Sequence, residues 1–408
     1  MFNEVGSVTV GGTPSTSVPE YWGGAIPWMV SGDVHSGVIN DVPTRISGLG
    51  LRNSSAMMVD PPSVAVALAG QGRTRGTAAY IRCALCTNQS VALLKGDPDE
   101  LDTEYLLHNL SFRYSELRSR SAGGGRAGLT KTILEQLPLP LPAISEQSKI
   151  AEVLSAVDRA IEQTEALIAK QQRIRTGLMQ DLLTRGIDEH GNLRSEQTHK
   201  FKDSPLGRIP VEWDVTKIGD QFVERKERGL TGLPVMSIVM NVGLVERSLV
   251  DRRVETNLTP EQHALVCEGD IAYNMMRMWQ GVLGRASFDC LVSPAYVVLR
   301  PLESTDSRFV QWLFTDLRMI HAFCKASKGV VDDRLRLYPK DIFPILMAIP
   351  KCLDEHTLIA DRLDAQHKAI ESSISGLEKL QLLKRGLMQD LLTGNRRVTA
   401  LLKPKDVT

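Results

Sequence analysis

Two segments of the chain carry apolar residues at the spacing of a long amphipathic helix. The steps between them are mostly three, four or seven residues, which is typical of the a and d positions of a coiled coil. The apolar positions of the first segment are Ile150, Leu154, Val157, Ile161, Ile168, Ile174, Leu178 and Leu182. Those of the second are Ile359, Leu363, Ile370, Ile374, Leu377, Leu380, Leu383 and Leu387. The pattern predicts one helix over residues 144–186 and another over residues 351–395.

The two predicted helices are copies of each other. Both contain the sequence Gly-Leu-Met-Gln-Asp-Leu-Leu-Thr, at residues 177–184 and 386–393, which lie 209 residues apart. At the same offset upstream, Glu146 matches Glu355 and Ile150 matches Ile359. A register kept over about forty residues indicates an internal duplication. We expect the helices, each about 60 Å long, to bury their stripes against each other; the alternative is that each packs separately on its own domain.

The rest of the chain forms two globular blocks, domain 1 (residues 1–143) and domain 2 (residues 204–350). Strand-like runs alternate in them with helical runs, and loops rich in Gly, Ser and Pro join the two kinds. The predicted fold class is α/β (α+β), with two globular domains separated by two long antiparallel coiled-coil helices in a pseudo-two-fold internal repeat. The hydrophilic residues 187–203 predict an exposed linker, and residues 396–408 a basic, frayed tail. His356, near the start of the second helix, is expected to be solvated.

Composition narrows the function classes. The 408 residues include 48 Lys and Arg and 48 Asp and Glu, which excludes a uniformly basic nucleic-acid binder but leaves room for a local basic cleft. No run approaches the roughly 18 apolar residues that cross a bilayer, and the first residues do not read as a secretory signal. Six scattered cysteines are typical of reduced thiols. We therefore expect a cytoplasmic protein without a membrane partner.

No sequence motif predicts catalysis by this chain. The stretch Asp60-Pro61-Pro62-Ser63 echoes the motif of amino-methyltransferases, but Ser63 cannot stack on a flipped base. A Walker-type phosphate loop is missing from the sequence. Cys83 and Cys86 form a single CxxC without a second pair, which favours a half-buried strand or turn over a zinc site. We expect no cofactor, no metal and no catalytic residue.

Glycine-rich loops that carry side chains able to read bases stand out instead. In domain 1 the loop Gly70–Gly76 contains Gln71, Arg73 and Arg75, types that form paired hydrogen bonds with adenine and guanine. A second loop contains Arg126 behind three glycines. The alternative for the first loop is a plain turn.

Domain 2 offers a comparable set of candidates. Polar and apolar groups mix in the stretch that holds Asn274, Arg277 and Gln280, and a basic loop carries Lys328 and Arg334. The alternative for the first stretch is that Met275, Met276 and Met278 belong to the core while Arg277 lies on the surface. The expected phosphate contacts, which position a domain without specifying bases, are Arg118, Arg120, Lys325 and Lys328.

The order domain, helix, domain, helix, with duplicated helices, resembles the specificity (S) subunit of type I restriction-modification systems. Domain 1 opens with Gly11-Gly12-Thr13-Pro14-Ser15, close to the usual opening of that family's target recognition domains. Domain 2 is entered through Ile209-Pro210-Val211-Glu212-Trp213, which resembles the family's run-in to a recognition domain. Domain 1 departs from the pattern because it lacks such a run-in.

The resemblance implies that each domain reads one half of a bipartite site in double-stranded DNA, while the helices fix the spacer. Two methyltransferase (M) subunits and restriction/translocase (R) subunits would supply the chemistry. Because a repeat offers the same surface twice, we expect the identical helix ends to bind partners or to join the helix bundle, through Leu178, Met179, Leu182, Leu387, Met388 and Leu391. Two other interpretations remain open: a coiled-coil scaffold without nucleic-acid binding, and a DNA-reading subunit of another defence methyltransferase.

Overall fold

The computed structural model describes residues 1–120, 128–250, 258–329 and 335–402. Within it the chain forms two compact units. Unit 1 consists of Met1–Ala166 and Ser375–Thr408, and unit 2 of Leu167–Ile374. Each unit therefore contains one globular domain, the beginning of one long helix and the end of the other.

Domain 1 contributes eight described strands and five short helices to unit 1. The strands are β1 (Gly6–Val10), β2 (Trp22–Met29), β3 (Val38–Ile39), β4 (Arg45–Ile46), β5 (Ser63–Ala67), β6 (Ala78–Ile81), β7 (Cys86–Thr87) and β8 (Val91–Gly96). The helices are α1 (Phe2–Val5), α2 (Gly48–Arg52), α3 (Thr103–Phe112), α4 (Tyr114–Ser119) and α5 (Lys131–Glu135). One sheet has the order β1-β8-β5-β6-β3 and the other the order β4-β2-β7. Strand β5 is buried along its whole length, as expected of a central strand with a continuous apolar run.

Unit 2 contains twelve described strands. They are β9 (Phe201–Ser204), β10 (Gly207–Pro210), β11 (Trp213–Lys217), β12 (Phe222–Glu224), β13 (Met236–Val239), β14 (Gly243–Glu246), β15 (Ala264–Val266), β16 (Ile271–Asn274), β17 (Leu283–Arg285), β18 (Cys290–Val292), β19 (Tyr296–Pro301) and β20 (Leu346–Pro350). The main sheet has the order β12-β19-β16-β17, and the remaining strands pair as β9–β10, β11–β20, β13–β14 and β15–β18. The short helices are α7 (Ser307–Phe314), α8 (Leu317–Ala326) and α9 (Pro339–Ile342).

The two domains share one topology. Both main sheets contain four strands that, numbered along the chain, lie side by side in the order first, fourth, second, third. These strands are β1-β8-β5-β6 in domain 1 and β12-β19-β16-β17 in domain 2. All of these pairs are antiparallel. Two helices follow the last strand in both cases, α3 and α4 in unit 1 and α7 and α8 in unit 2. The duplication therefore includes the globular domains as well as the long helices.

The predicted long helices are confirmed with small changes at their ends. They are α6 (Ile144–Leu182) and α10 (Leu353–Leu392). Gly186 and Gly394 follow their ends with φ of 61° and 75°, the left-handed conformation that commonly terminates a helix. Among the described residues, neither these helices nor any other is apolar enough along its length to span a bilayer.

Each domain core is completed by the beginning of one long helix and the end of the other. In unit 1 the core includes Ile150 and Leu154 of α6 together with Leu391 and Leu392 of α10. In unit 2 the reverse holds, because Leu182 at the end of α6 and the following Leu183 join the core with residues Ile359, Ala360 and Leu363 of α10. The expected packing of helix on helix and the alternative of packing on the neighbouring domain are thus both realised.

The helices are antiparallel within each unit, as predicted. In unit 1 Lys384 pairs with Asp158 at 2.5 Å, and Arg397, beyond the end of α10, pairs with Glu146 at the start of α6. In unit 2, Arg175 and His367 lie 3.5 Å apart. The predicted apolar stripe is wrong at three positions, since Ile174, Ile374 and Leu383 are 49%, 40% and 51% exposed.

Two segments expected to be exposed are docked instead. In residues 187–203, predicted as a linker, Arg194 is 6% exposed and donates Nη2 to Oε2 of Glu355 at 3.0 Å. In the predicted tail, Val398 is buried and the guanidinium of Arg397 donates to both carboxylate oxygens of Glu146. The polar composition of these segments wrongly indicated solvent exposure, because each buried charge is neutralised by a partner of opposite sign.

The prediction of a solvated His356 is also wrong. The side chain is 1% exposed, and its Nε2 lies 2.8 Å from the carbonyl oxygen of Pro350. Its ring stacks on Phe309 with centroids 4.6 Å apart. Burial lowers the pKa of His356 below the ordinary histidine value, so the imidazole is neutral at pH 7 and belongs to the core.

We predict that Glu146→Gln destabilises unit 1 in a pH-dependent way. Hydrogen bonds from Arg397 lower the pKa of Glu146. The ionised carboxylate therefore stabilises the fold above the unfolded-state pKa, and this stability is lost as the pH falls through the lower folded-state pKa. We expect a loss of about 1 kcal/mol at pH 7 that begins to shrink near the unfolded-state pKa, about pH 4, and disappears only below the lower folded-state pKa, measured by urea unfolding at a series of pH values. Glu162→Gln, at an exposed position of the same helix, is the control and should change little; equal effects of both variants would contradict the prediction.

Candidate nucleic-acid interface

The glycine-rich loop of domain 1 joins β5 to β6. Gly70, Gly72 and Gly76 have φ of 127°, 63° and 84°, a backbone region that side chains other than glycine rarely adopt. Two side chains of helix α4 hold the backbone of this loop through hydrogen bonds. Tyr114 donates its hydroxyl to the carbonyl oxygen of Arg73 at 3.0 Å, and Arg118 donates Nη1 to the carbonyl oxygen of Gly72 at 2.5 Å. The loop therefore has a fixed backbone and is not a free tether.

The side chains of the loop differ in exposure. Gln71 and Arg73 are exposed, whereas Arg75 is half-buried. Arg118, expected to contact phosphate, donates Nη1 to loop carbonyls, so the structure gives this side chain a role in holding the loop, and its phosphate contact stays a prediction. Arg120 is exposed and pairs with Glu116 at 2.7 Å. Gln71 and Arg73 are therefore the side chains of this loop that are best placed to reach a ligand.

The second candidate of domain 1, Arg126, lies outside the described residues. The structure describes the chain again from Gly128 onward. Leu129 donates its backbone N–H to the carbonyl oxygen of Leu68 at 3.0 Å, two residues before the glycine-rich loop begins. The described chain thus re-enters beside the base of that loop.

In domain 2 the predicted stretch 274–280 forms the turn between β16 and β17. Arg277 and Gln280 are exposed. Asn274 is half-buried, and its Oδ1 accepts the N–H of Met276 at 3.0 Å, so this side chain shapes the turn. Of the methionines that the alternative assigned to the core, Met278 is fully buried but Met276 is 48% exposed.

The basic loop of domain 2 lies next to this turn. Lys328 and Arg336 exchange two backbone hydrogen bonds of 2.9 Å, and Leu337 donates its N–H to the carbonyl oxygen of Met275 at 2.9 Å. The ammonium group of Lys328 pairs with Asp341 at 2.5 Å but its side chain stays 63% exposed. Lys325 is exposed, and Arg334 lies outside the described residues.

These loops occupy equivalent places in the two domains. The glycine-rich loop connects β5 to β6, and the 274–280 turn connects β16 to β17, which are the same pair of strands in the shared topology. The other candidate of each domain follows the second helix after the sheet, α4 or α8. Composition alone selected all four segments; the fold places the two described turns at matching positions, and the other two segments follow matching helices along the chain. Exposed Arg and Gln on a fixed turn are suited to bidentate contacts with base edges.

The described part of the chain contains no group of three or more His, Cys, Asp or Glu placed to hold a metal ion. Burial raises the pKa of Cys83, and it raises that of Cys86 to about 11, so both thiols stay protonated. Cys86 lies in β7, as the strand interpretation of the CxxC predicted. Ser63 begins β5 and is fully buried.

The residues of the identical helix ends are largely buried within their units. Leu182, Met388 and Leu391 belong to the cores, and Leu178, Met179 and Leu387 pack partly against them. The exposed members of the motif are Gly177, Gln180, Gly386, Gln389 and Thr393. Sequence reasoning missed the anchoring roles of Tyr114 and Arg118, because no local pattern reveals a contact with a loop some forty residues away.

Comparison with known proteins identifies the class to which this architecture belongs. Residues 2–171 match the family model of the type I restriction modification DNA specificity domain. The type I restriction enzyme MjaVIII specificity subunit of Methanocaldococcus jannaschii is 26% identical over 320 residues, which are 74% of this chain and 72% of that subunit. The EcoR124I/EcoR124II specificity subunit of Escherichia coli is 23% identical over 204 residues, 49% of this chain and 46% of that one. Residues 2–171 are thus a type I restriction modification DNA specificity domain, and similarity to a specificity subunit extends over 74% of the chain.

A solved structure shares the fold over nearly the whole length. The type I S subunit from M. genitalium is 16% identical, covers 96% of this chain and 94% of its own, and has a TM-score of 0.61. This likeness shows a shared fold. Together with the specificity domain of residues 2–171 and the similar specificity subunits, it confirms the predicted resemblance to a specificity subunit, a DNA-recognition protein without catalytic residues of its own.

Proposed function

We propose that the two domains read the two halves of one bipartite site in double-stranded DNA. The observation that carries this proposal is the equivalence of the β5–β6 loop and the β16–β17 turn, which two independent composition arguments had selected. Domain 1 reads through Gln71 and Arg73, and domain 2 through Arg277 and Gln280. Each pair combines a guanidinium, which suits guanine, with an amide, which suits adenine.

Other basic residues have a positioning role in this proposal. Arg120 in domain 1 and Lys325 in domain 2 are exposed and close in sequence to the candidate loops. Contacts of this kind bind the phosphate backbone and orient a domain on the duplex without choosing bases. Arg118 acts indirectly, because it holds the backbone of the loop that carries Arg73.

We further propose that α6 and α10 fix the spacer between the half-sites. Helices of 39 and 40 residues are about 60 Å long. This length is of the same order as the distance spanned by two domains bound on either side of a spacer of several base pairs. The chain acts with methyltransferase and restriction subunits, as specificity subunits do, and two methyltransferase subunits suit a chain whose repeat presents each surface twice.

DNA binding with a steep dependence on salt tests the proposal against the scaffold alternative. A complex of the chain with its methyltransferase subunits should bind a methylatable duplex at least tenfold more weakly in 200 mM than in 50 mM salt, because phosphate contacts release counterions. Fluorescence anisotropy with labelled duplex measures this. Replacing Arg120 and Lys325 by Ala should reduce the slope of log K against log salt by about one for each phosphate that is no longer bound. Affinity that does not vary with salt would favour a scaffold.

A further inference from the structure

Each domain has an insertion between the first and second strands of its main sheet, outside the candidate loops described above. Insertion 1 spans residues 11–62, between β1 and β5, and insertion 2 spans residues 225–270, between β12 and β16. In both domains a part of the insertion contacts the third strand of the sheet, β6 or β17. The candidate base-reading loop or turn of each domain leads directly into that third strand.

Insertion 1 touches the glycine-rich loop of domain 1. Its strand β3 pairs with β6 in parallel, and paired parallel strands begin on the same side of a sheet. The short turn Asp33–Ser36, just before β3, therefore lies beside the loop Gly70–Gly76, just before β6. Nε2 of His35 is 3.0 Å from Oγ1 of Thr74. Because His35 and Ser36 are exposed, the exposed surface of the loop continues onto this turn.

Insertion 2 approaches the 274–280 turn through the hairpin β13–β14. Its backbone lies so close to β17 that a Cβ added to Gly284 would be 2.7 Å from the backbone nitrogen of Leu244, and only glycine permits such an approach. Gly284 follows two residues after Val282, whose N–H donates to the carbonyl oxygen of Arg277 at 3.2 Å and closes the turn. Two residues of a strand are about 7 Å long, so the hairpin contacts β17 close to the turn.

The hairpin is anchored on one face and exposed at its tip. Met236 and Ile238 of β13 are buried in a core cluster of domain 2. At the tip, residues 240–242, the side chains of Met240 and Val242 are 41% and 61% exposed. Asn241 between them is exposed and has a φ of 63°, a conformation that asparagine tolerates better than most residues. The tip is thus a fixed surface whose side chains are available to a ligand.

The chemistry of the two insertions favours DNA as this ligand. The major groove of B-DNA admits a two-stranded β-ribbon, and asparagine pairs with adenine while apolar groups contact the thymine methyl. The exposed residues also differ between the domains, His35 and Ser36 in one and Asn241 and Val242 in the other. Readers of two different half-sites should differ in this way. Docking surfaces for two identical partner subunits should instead share their chemistry.

We propose that each insertion supplies a second base contact and thereby extends the half-site that its domain reads. In domain 2 the hairpin tip enters the major groove, where the amide of Asn241 reads adenine and Val242 contacts a thymine methyl. In domain 1 the imidazole of His35, which can donate or accept a hydrogen bond, and the hydroxyl of Ser36 contact the base pair next to the one that Arg73 reads. This inference rests on the proposed reading of DNA by the glycine-rich loop and the 274–280 turn.

Asn241→Gly tests the contact without disturbing the hairpin. Glycine adopts a φ of 63° readily, so the variant loses the amide and keeps the backbone. The chain with its methyltransferase subunits methylates a library randomised in both half-sites, and sequencing gives the preference at each position. We expect the preference for adenine at one position of the half-site read by domain 2 to fall at least tenfold, with the other half-site unchanged. Replacing His35 and Ser36 by Ala should relax one position of the half-site read by domain 1.

A matched control is Leu206→Ala, at a 44% exposed position in the tip of the β9–β10 hairpin. It should leave every base preference unchanged. The variant with Arg277 and Gln280 replaced by Ala is measured beside it, and Asn241→Gly should relax a position that this variant leaves intact. Relaxation by Asn241→Gly at such a position supports the insertion as a reader even where the turn variant changes nothing.

Other results overturn the inference, and they separate it from the proposed function. If the turn variant relaxes specificity and Asn241→Gly does not, the 274–280 turn reads DNA without help from the hairpin. If neither variant changes any preference, the reading turn and the second contact are both refuted. Relaxation by both variants at the same positions alone would mean that the hairpin only supports the turn. Equal slowing of methylation for all sequences by Asn241→Gly would mean that the tip binds a partner protein or phosphate and reads no base.

Discussion

Deleting one helical turn from each long helix is expected to move methylation to sites with a shorter spacer while leaving both half-site sequences unchanged. Residues 165–168 and their repeat equivalents 374–377 lie within α6 and α10. Four residues shorten a helix by about 6 Å and leave its two ends rotated by about 40°. One base pair of B-DNA turns by about 35°, at 10–10.5 base pairs per turn. The rotation thus matches a spacer shortened by one base pair, and the length sets an upper limit of about two.

Methylation of a library with every spacer length, by the chain with its methyltransferase subunits, measures the outcome. We expect the original spacer to be modified at least a hundredfold more slowly, because both domains can no longer engage their half-sites together. Removing the four residues from α6 alone is the matched control. It takes the helices out of register and should lower modification at every spacer. If the double deletion still prefers the original spacer, the long helices do not set it.

The long helices could be predicted because their apolar spacing is a local pattern, and the duplication could be predicted because it repeats identical residues. Apolar steps of three and four residues define a helix wherever it packs, and eight identical residues at a constant offset need no structure to be recognised. The burial of Arg194 was not predictable in this way. Its partner Glu355 lies 161 residues further along the chain, and a polar segment gives no sign that it will be neutralised by a distant charge.

The candidate interface was predicted in part. The glycines of the domain 1 loop indicated a turn, and Gly70, Gly72 and Gly76 do adopt positive φ, whereas base reading by this loop stays a prediction. Composition could not show that Arg118 serves the loop backbone, because its role depends on where helix α4 packs. Nor could it show that the two candidate turns are equivalent. The domains have little sequence in common outside the helices, and their likeness lies in the order of strands.

Replacing Gln71 and Arg73 by Ala is expected to relax recognition of one half-site only. Both side chains are exposed on a loop whose backbone is held by Tyr114 and Arg118, so the substitutions remove base contacts without disturbing the loop. A good bidentate contact discriminates against a wrong base by about 1–3 kcal/mol. The preference for the correct base should therefore fall about 10- to 100-fold at the positions read by domain 1, and stay unchanged in the other half.

Methylation sequencing of a library randomised in both half-sites makes the comparison directly. The matched variant, with Arg277 and Gln280 replaced by Ala, should relax the other half by a similar factor, because these residues occupy the equivalent turn of domain 2. Arg120→Ala serves as the phosphate control and should slow methylation equally for all sequences. Arg118→Ala should behave differently from all three: by freeing the loop backbone it should weaken both the affinity and the discrimination of domain 1. Uniform loss across both half-sites in the first variant would mean that Gln71 and Arg73 hold phosphates and do not read bases.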